Sequence, residues 1–295
     1  MSRRSESFRR SLGLAPLAWL AFAMYAVFLV YPLLYSVWQS FTNRSPLRLK
    51  PIFVGFDNYT EMFADDRFWM SLKLTLIVTV FVTVVSNVIG LLFAMLLNKN
   101  TANYRLMRTL VFIPQVLSGV IVGIIWNSMV TQNGLINVVI RNLGLGQGVG
   151  WVGTPELATM VVCIVVSWMT IAFCTVVYTA SLQSVPAELY EAARVDGAGA
   201  ISRFRNVTIP MIAPGVTISV TLCMITSLKL YDVLAVLTGG GPSNSTKSTA
   251  FYVIETAFST NRFGYASAIA IFLLALTAVL SYITSGLLRR REAHL

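Results

Sequence analysis

Six long stretches of the chain carry no Asp, Glu, Lys or Arg: residues 11–43, 74–98, 109–140, 157–187, 206–228 and 263–288. A helix needs about 20 mostly apolar residues to cross the hydrocarbon of a bilayer, and each stretch contains that length. The pattern predicts an all-α membrane protein with six transmembrane helices, near 13–37, 73–97, 109–130, 157–180, 211–235 and 264–288. Buried helices of a large soluble protein are the competing reading, and runs of this length argue against it.

The segments between these runs are polar and punctuated. "NRSPLRLKPIFVGFDNYTEMFADDRFW" mixes charges with aromatics, as a segment lying at a membrane interface does. "RNLGLGQGVGWVGTPE" is rich in glycine, but its spacing is not that of a dinucleotide fingerprint and no strand precedes it. "LTGGGPSNSTKST" requires a tight, irregular connection. No G-x-x-x-x-G-K-[ST] occurs, so the chain has no P-loop of its own, and no strong internal repeat is present.

Composition fits the same class. Apolar residues make up 56% of the 295 positions and charged residues 12%, about half the soluble share. The three cysteines, Cys163, Cys174 and Cys223, fall inside predicted spans and read as small apolar packers, with no metal site implied. The only histidine is His294, in the tail. The basic residues before the first run resemble a signal peptide, but the run is too long for one. It is expected to be a retained helix.

The net charge of +10 reports orientation rather than a nucleic-acid partner. Thirteen basic residues fall on one side: Arg3, Arg4, Arg9, Arg10, Lys99, Arg105, Arg108, Arg194, Arg203, Arg205, Arg289, Arg290 and Arg291. Seven fall on the other: Arg44, Arg48, Lys50, Arg67, Arg141, Lys247 and Arg262. The positive-inside rule then places both termini in the cytoplasm. The expected division is a tail at 1–12, a six-helix domain over 13–290 with a cytoplasmic loop at 184–210, and a tail at 291–295.

Polar residues inside the runs mark faces. Thr79, Thr83, Asn87 and Gly90 share one, and Gln115, Gly119, Gly123 and Asn127 share another. Trp168, Thr175 and Thr179 mark a third; Thr217, Thr221, Lys229 and Asp232 lie along a fourth. Small residues and hydroxyls at such positions serve helix packing as readily as a path. Amides are dearer, because an unpaired amide in lipid costs several kcal/mol, so Gln115 and Asn127 must face protein or a wet cavity. On a continuous helix, Lys229 and Asp232 are spaced to pair and to line a pathway. Lys229 also lies about 27 Å along that helix, where a lysine can snorkel to the interface. With Trp126, Trp168 and Tyr231 these residues form the candidate polar and aromatic site: Gln115, Trp126, Asn127, Trp168, Lys229, Tyr231 and Asp232. Such a set pairs amides and charges, which bond hydroxyls, with aromatic rings, which take C–H faces.

The 184–210 loop reads helix, glycine, helix. Ser184 and Pro186 offer a start, Glu188 and Glu191 favour the early turns, and Gly197 supplies a reversal. An ordinary loop helix has the same composition. "EAARVDGAGAISRFRNVTIP" nevertheless resembles the EAA signature of inner-membrane permease subunits of binding-protein-dependent ABC importers. That signature is E-A-A, three residues, G, nine residues, then I-x-L-P. Glu191, Ala192, Ala193, Gly197 and Pro210 match it, with Val207 and Ile209 as conservative departures. "YDVLAVLTGGGPSNSTKS" and "FGYASAIAIFLL" are similar to carbohydrate-uptake permeases of the maltose-transporter type, and the resemblance runs from about residue 15 to 290.

The resemblance implies the ABC importer permease (MetI-like) fold in a prokaryotic inner membrane. It implies that Glu188, Glu191, Ala192, Ala193, Asp196 and Gly197 form a coupling helix docking on an ATPase. The implied partners are a second homologous permease, two ABC ATPase subunits, an extracytoplasmic solute-binding protein and membrane lipid. No cofactor is expected on this chain, ATP and Mg being bound by the ATPase, and no catalytic residue is expected. A permease for a phosphorylated polyol shares these motifs. An ion-driven secondary transporter would need a mid-depth carboxylate, for which Asp232 is the candidate, and a membrane-embedded enzyme would need clustered catalytic acids.

Overall fold

The computed structural model describes residues 19–47, 50–98 and 101–292. The expected tail at 1–12, the start of the first helix at 13–18, and the closing residues 293–295 lie outside them. Helix α1 runs Trp19–Ser40 with a π-helical turn at Ala26–Val30, and α2 covers Asp57–Ala64. Then come α3 (Asp66–Leu96), α4 (Ala102–Val116), α5 (Gly119–Val130) and α6 (Leu135–Asn142). They are followed by α7 (Pro155–Gln183), α8 (Ala187–Val195), α9 (Ala200–Met211) and α10 (Ala213–Leu228). The last are α11 (Asp232–Leu237), α12 (Thr249–Phe258) and α13 (Phe263–Glu292).

Among the described residues, five segments are long and apolar enough to cross a membrane: α1, α3, Gly119–Asn142, α7 and Phe263–Arg290. The pair α9 and α10, bent by 68°, makes a sixth when the two are counted as one span. The all-α architecture and five to six spans follow from the apolar runs, but the third and fifth runs are not the single helices expected.

The third expected helix, 109–130, is broken. Pro114 has no N–H to give its own turn, and Leu117 and Ser118 are extended. Ser118 then starts α5 as an N-cap, its Oγ accepting Ile121 N at 3.3 Å. The fifth, 211–235, is interrupted twice. A π-helical turn at Phe204–Thr208 leads into the bend at Ile212, where Pro214 cannot donate to the carbonyl four residues back. The helix then ends at Leu228, three residues intervene, and α11 restarts at Asp232.

The described residues divide into two compact units. The first holds α1, α2 and Val253–Ile271. Here the chain after α1 folds back: Asn58 Nδ2 donates to the carbonyls of Ser40 and Thr42 at 2.8 and 2.9 Å. Phe41 packs on Phe56 and Tyr59, and Arg262 forms a two-pronged ion pair with Glu61. The aromatic segment expected at an interface therefore has a defined structure of its own.

The second unit holds Asp65–Tyr252 and the chain from Phe272 onward. Its core is Val78 and Val82 of α3, Val162, Val165 and Val166 of α7, Cys223 of α10, and Val233, Leu234 and Leu237 of α11. Gly90 lets α3 and α7 approach backbone to backbone, and beside it Tyr178 OH donates to Asn87 Oδ1 at 2.7 Å. Asn87 thus spends its amide on helix packing. Cys163, Cys174 and Cys223 are buried and free, in keeping with their expected role as packers.

Candidate functional site

The break between α10 and α11 opens a cavity of about 410 Å³. Gln115 of α4 and Gly119 of α5 form one side; Leu222, Thr226 and Ser227 of α10 form another. Lys229, Leu230, Tyr231, Asp232 and Val233 supply the broken segment itself, and Val166, Met169, Thr170 and Phe173 of α7 close the space. The chemistry is mixed: an amide, an ammonium, a carboxylate, a phenol and hydroxyls against thioether, aromatic and aliphatic surface.

Four of the seven residues picked from the sequence meet here: Gln115, Lys229, Tyr231 and Asp232. The other three do not line the cavity. Asn127 Nδ2 donates to the Leu237 carbonyl at 2.7 Å, capping the end of α11. Gly119 and Gly123 bring α5 close to α11, where added Cβ atoms would lie 3.2 Å from Asp232 Cβ and 2.9 Å from Val236 Cβ. That face serves packing, as small residues on a membrane helix can. Trp126 packs against the core and meets Trp168 edge-on at 5.8 Å.

Lys229 and Asp232 also differ from expectation. They are three apart in sequence, but Lys229 caps the end of α10 and Asp232 opens α11, so they are not on one helix. Both are exposed to the cavity, and no ion pair joins them. The α7 residues Met169, Thr170 and Phe173 and the α10 pair Thr226 and Ser227 were missed.

In the 184–210 loop, Ser184 ends α7 rather than starting α8, whose N-cap is Pro186. Gly197 has φ 76°, in the left-handed region the reversal demanded. Around it the Ala198 N–H reaches the Ala193 carbonyl at 2.8 Å and the Gly197 N–H the Arg194 carbonyl at 3.0 Å. This is the paired-bond C-terminal cap of a Schellman motif. Glu188, Glu191, Ala192, Asp196 and Gly197 are exposed; Ala193 is half-buried, and its carbonyl anchors the cap. Tyr190 OH meets Thr208 Oγ1 at 3.1 Å, pinning α8 to α9, a contact the motif did not reveal. Val195 and Ile201 are 88% and 84% exposed, an apolar surface on a short charged loop.

Residues 86–293 match the family described as the binding-protein-dependent transport system inner membrane component. A relative, the probable starch degradation products transport system permease protein of Thermoanaerobacterium thermosulfurigenes, is 32% identical over 269 residues, 91% of each chain. The sulfoquinovosyl glycerol transport system permease protein of Agrobacterium fabrum is 33% identical over 283 residues, covering 95% of this chain and 90% of that one. In fold, the chain superposes with a TM-score of 0.84 on a chain of a bacterial ABC transporter involved in import of the acidic polysaccharide alginate. The identity is 21%, over 98% of this chain and 99% of the other.

Proposed function

The chain belongs to the family of binding-protein-dependent transport system inner membrane components, and we propose that it is the membrane-spanning subunit of an ATP-driven sugar importer. It forms half of the translocation path and works with a second, homologous permease, two ATPase subunits and an external solute-binding protein. Both termini lie in the cytoplasm of a prokaryotic cell, and the chain sits in the inner membrane. The cavity at the α10–α11 break supports this reading most directly. Its volume of about 410 Å³ falls in the range of small-molecule sites, and its polar groups converge with aromatic surface as saccharide binding requires. Relatives named for starch products and a sulfonated sugar glycoside support the choice of sugars.

The coupling role falls to Glu188, Glu191, Ala192, Ala193, Asp196 and Gly197 on the 184–210 loop. A short helix with a rigid cap passes closure of the ATPase pair to the spans as one body, exposing the path to alternate sides.

Individual alanine changes at Gln115, Lys229, Tyr231 and Asp232 should lower uptake at least ~5-fold, the loss expected from one or two polar contacts. Assembly with the second permease and basal ATP hydrolysis should persist. Full uptake in all four variants would place the path elsewhere, and uptake by this chain without any ATPase would end the proposal. Orientation has its own test. Single cysteines at Ser5 and Glu292 should resist an impermeant thiol reagent in intact cells, while those at Gln147 and Ser245 react; labelling of the first pair from outside would reverse the topology.

A further inference from the structure

The break that shapes the cavity leaves a backbone group to be satisfied. Helix α10 ends at Leu228 and α11 opens at Asp232, so the Leu230 carbonyl sits between two helices. Ser248, 2% exposed, donates its hydroxyl to that carbonyl. Ser248 Oγ in turn accepts the Phe251 N–H at 3.1 Å, so one hydroxyl closes both the broken span and the first turn of α12. Its neighbours tie the segment down on other sides. Thr249 N donates to Thr75 Oγ1 of α3 at 2.8 Å, and Tyr252 OH donates to Asp65, the N-cap of α3, at 2.5 Å. The Phe251 ring meets Tyr231, a cavity residue, at 5.5 Å and 63°.

We propose that Ser248 is a positioning residue for the translocation path. It holds the Leu230 carbonyl, and with it the Lys229 and Tyr231 side chains on either side, in the orientation that forms the cavity wall. Ser248 is not itself part of that wall. The inference deepens the reading of the cavity as the path and rests on it. Removing the hydroxyl leaves the Leu230 carbonyl and the Phe251 N–H, both in half-buried residues, without their shared partner. The Thr249–Thr75 and Tyr252–Asp65 contacts keep the start of α12 in place, so relief falls on residues 229–231.

The test uses the assembled transporter in nanodiscs with Lys229→Cys as a reporter. The probe is a methanethiosulfonate carrying a trimethylammonium group, which labels thiols that face water. Adding Ser248→Ala should change the labelling rate at least ~5-fold, and Ser248→Thr, which keeps the hydroxyl, should return it to within ~2-fold. Equal rates in all three backgrounds would overturn the proposal. So would a smaller yield of complex whose labelling rate is unchanged, because that is what a merely structural role produces. If the four cavity alanines leave uptake intact while Ser248→Ala still shifts labelling, the path reading fails and the positioning of the wall stands.

Discussion

Gly90→Val is expected to abolish recovery of assembled protein. At Gly90 an added Cβ would lie 2.5 Å from Cys174 Cβ and 3.1 Å from the Thr175 backbone nitrogen. These neighbours belong to a helix, not to the far end of a flexible side chain, so the helices themselves would have to part. Overpacking a closely fitted contact costs about 1–3 kcal/mol, and valine adds two methyl groups beyond the Cβ that already clashes. Separation of α3 from α7 would also break the Tyr178–Asn87 hydrogen bond, leaving the Tyr178 hydroxyl and the Asn87 Oδ1 without each other, while Asn87 Nδ2 keeps the Thr83 carbonyl. The yield of monodisperse protein in mild detergent should fall at least ~10-fold. Gly286→Ala is the control, since nothing lies within 4 Å of a Cβ there. A normal yield for Gly90→Val would mean that α3 and α7 are not closely packed at this crossing.

Gly197→Val is expected to leave the spans assembled and to uncouple them from ATP hydrolysis. Nothing lies within 4 Å of a Cβ at Gly197, so the effect comes from φ 76° alone. A left-handed residue with a Cβ is penalised by about 1–2 kcal/mol, and a β-branched one by more. The chain relieves this by abandoning the cap, releasing the Ala193 and Arg194 carbonyls and redirecting α9 relative to α8. Insertion and pairing with the second permease should be normal, whereas stimulation of ATP hydrolysis by loaded binding protein should be lost. Gly197→Asn, tolerant of the left-handed region, should retain much of it. Gly199→Ala is the neighbouring control, because its φ of −68° suits any residue. Wild-type stimulation in Gly197→Val would separate the loop from coupling and remove the strongest motif-based support for the function.

The sequence revealed the spans because hydropathy is a sum over many residues, and a few polar positions do not erase it. It concealed the breaks for the same reason: Leu117, Ser118, Leu230 and Tyr231 lie within or beside long uncharged runs. Pro114, Pro210 and Pro214 were visible, but membrane helices tolerate proline where neighbours satisfy the freed carbonyls, so their presence does not decide the matter. The pairing inferred for Lys229 and Asp232 assumed a helix that stops at Leu228. Of the face read through Gln115, Gly119, Gly123 and Asn127, Gln115 lies on α4 across a break, and the other three meet α11, a helix whose existence depends on a second unseen break. Gly197 was legible because its conformation follows from local chain reversal, whereas Ser248 reads locally only as a helix cap and its bond to a carbonyl eighteen residues away has no local signature.

The bend at Ile212 makes α9 and α10 a crank rather than a rod. A force applied along α9 meets α10 at 68° and so loads that helix mainly from the side. The far end of α10 is Leu228, at the edge of the cavity, where three residues outside either helix separate it from α11. Lateral travel of α10 would therefore reach α11 only through the wall carrying Lys229 and Tyr231, and the Ser248–Leu230 hydrogen bond is the contact that such travel must carry along or break.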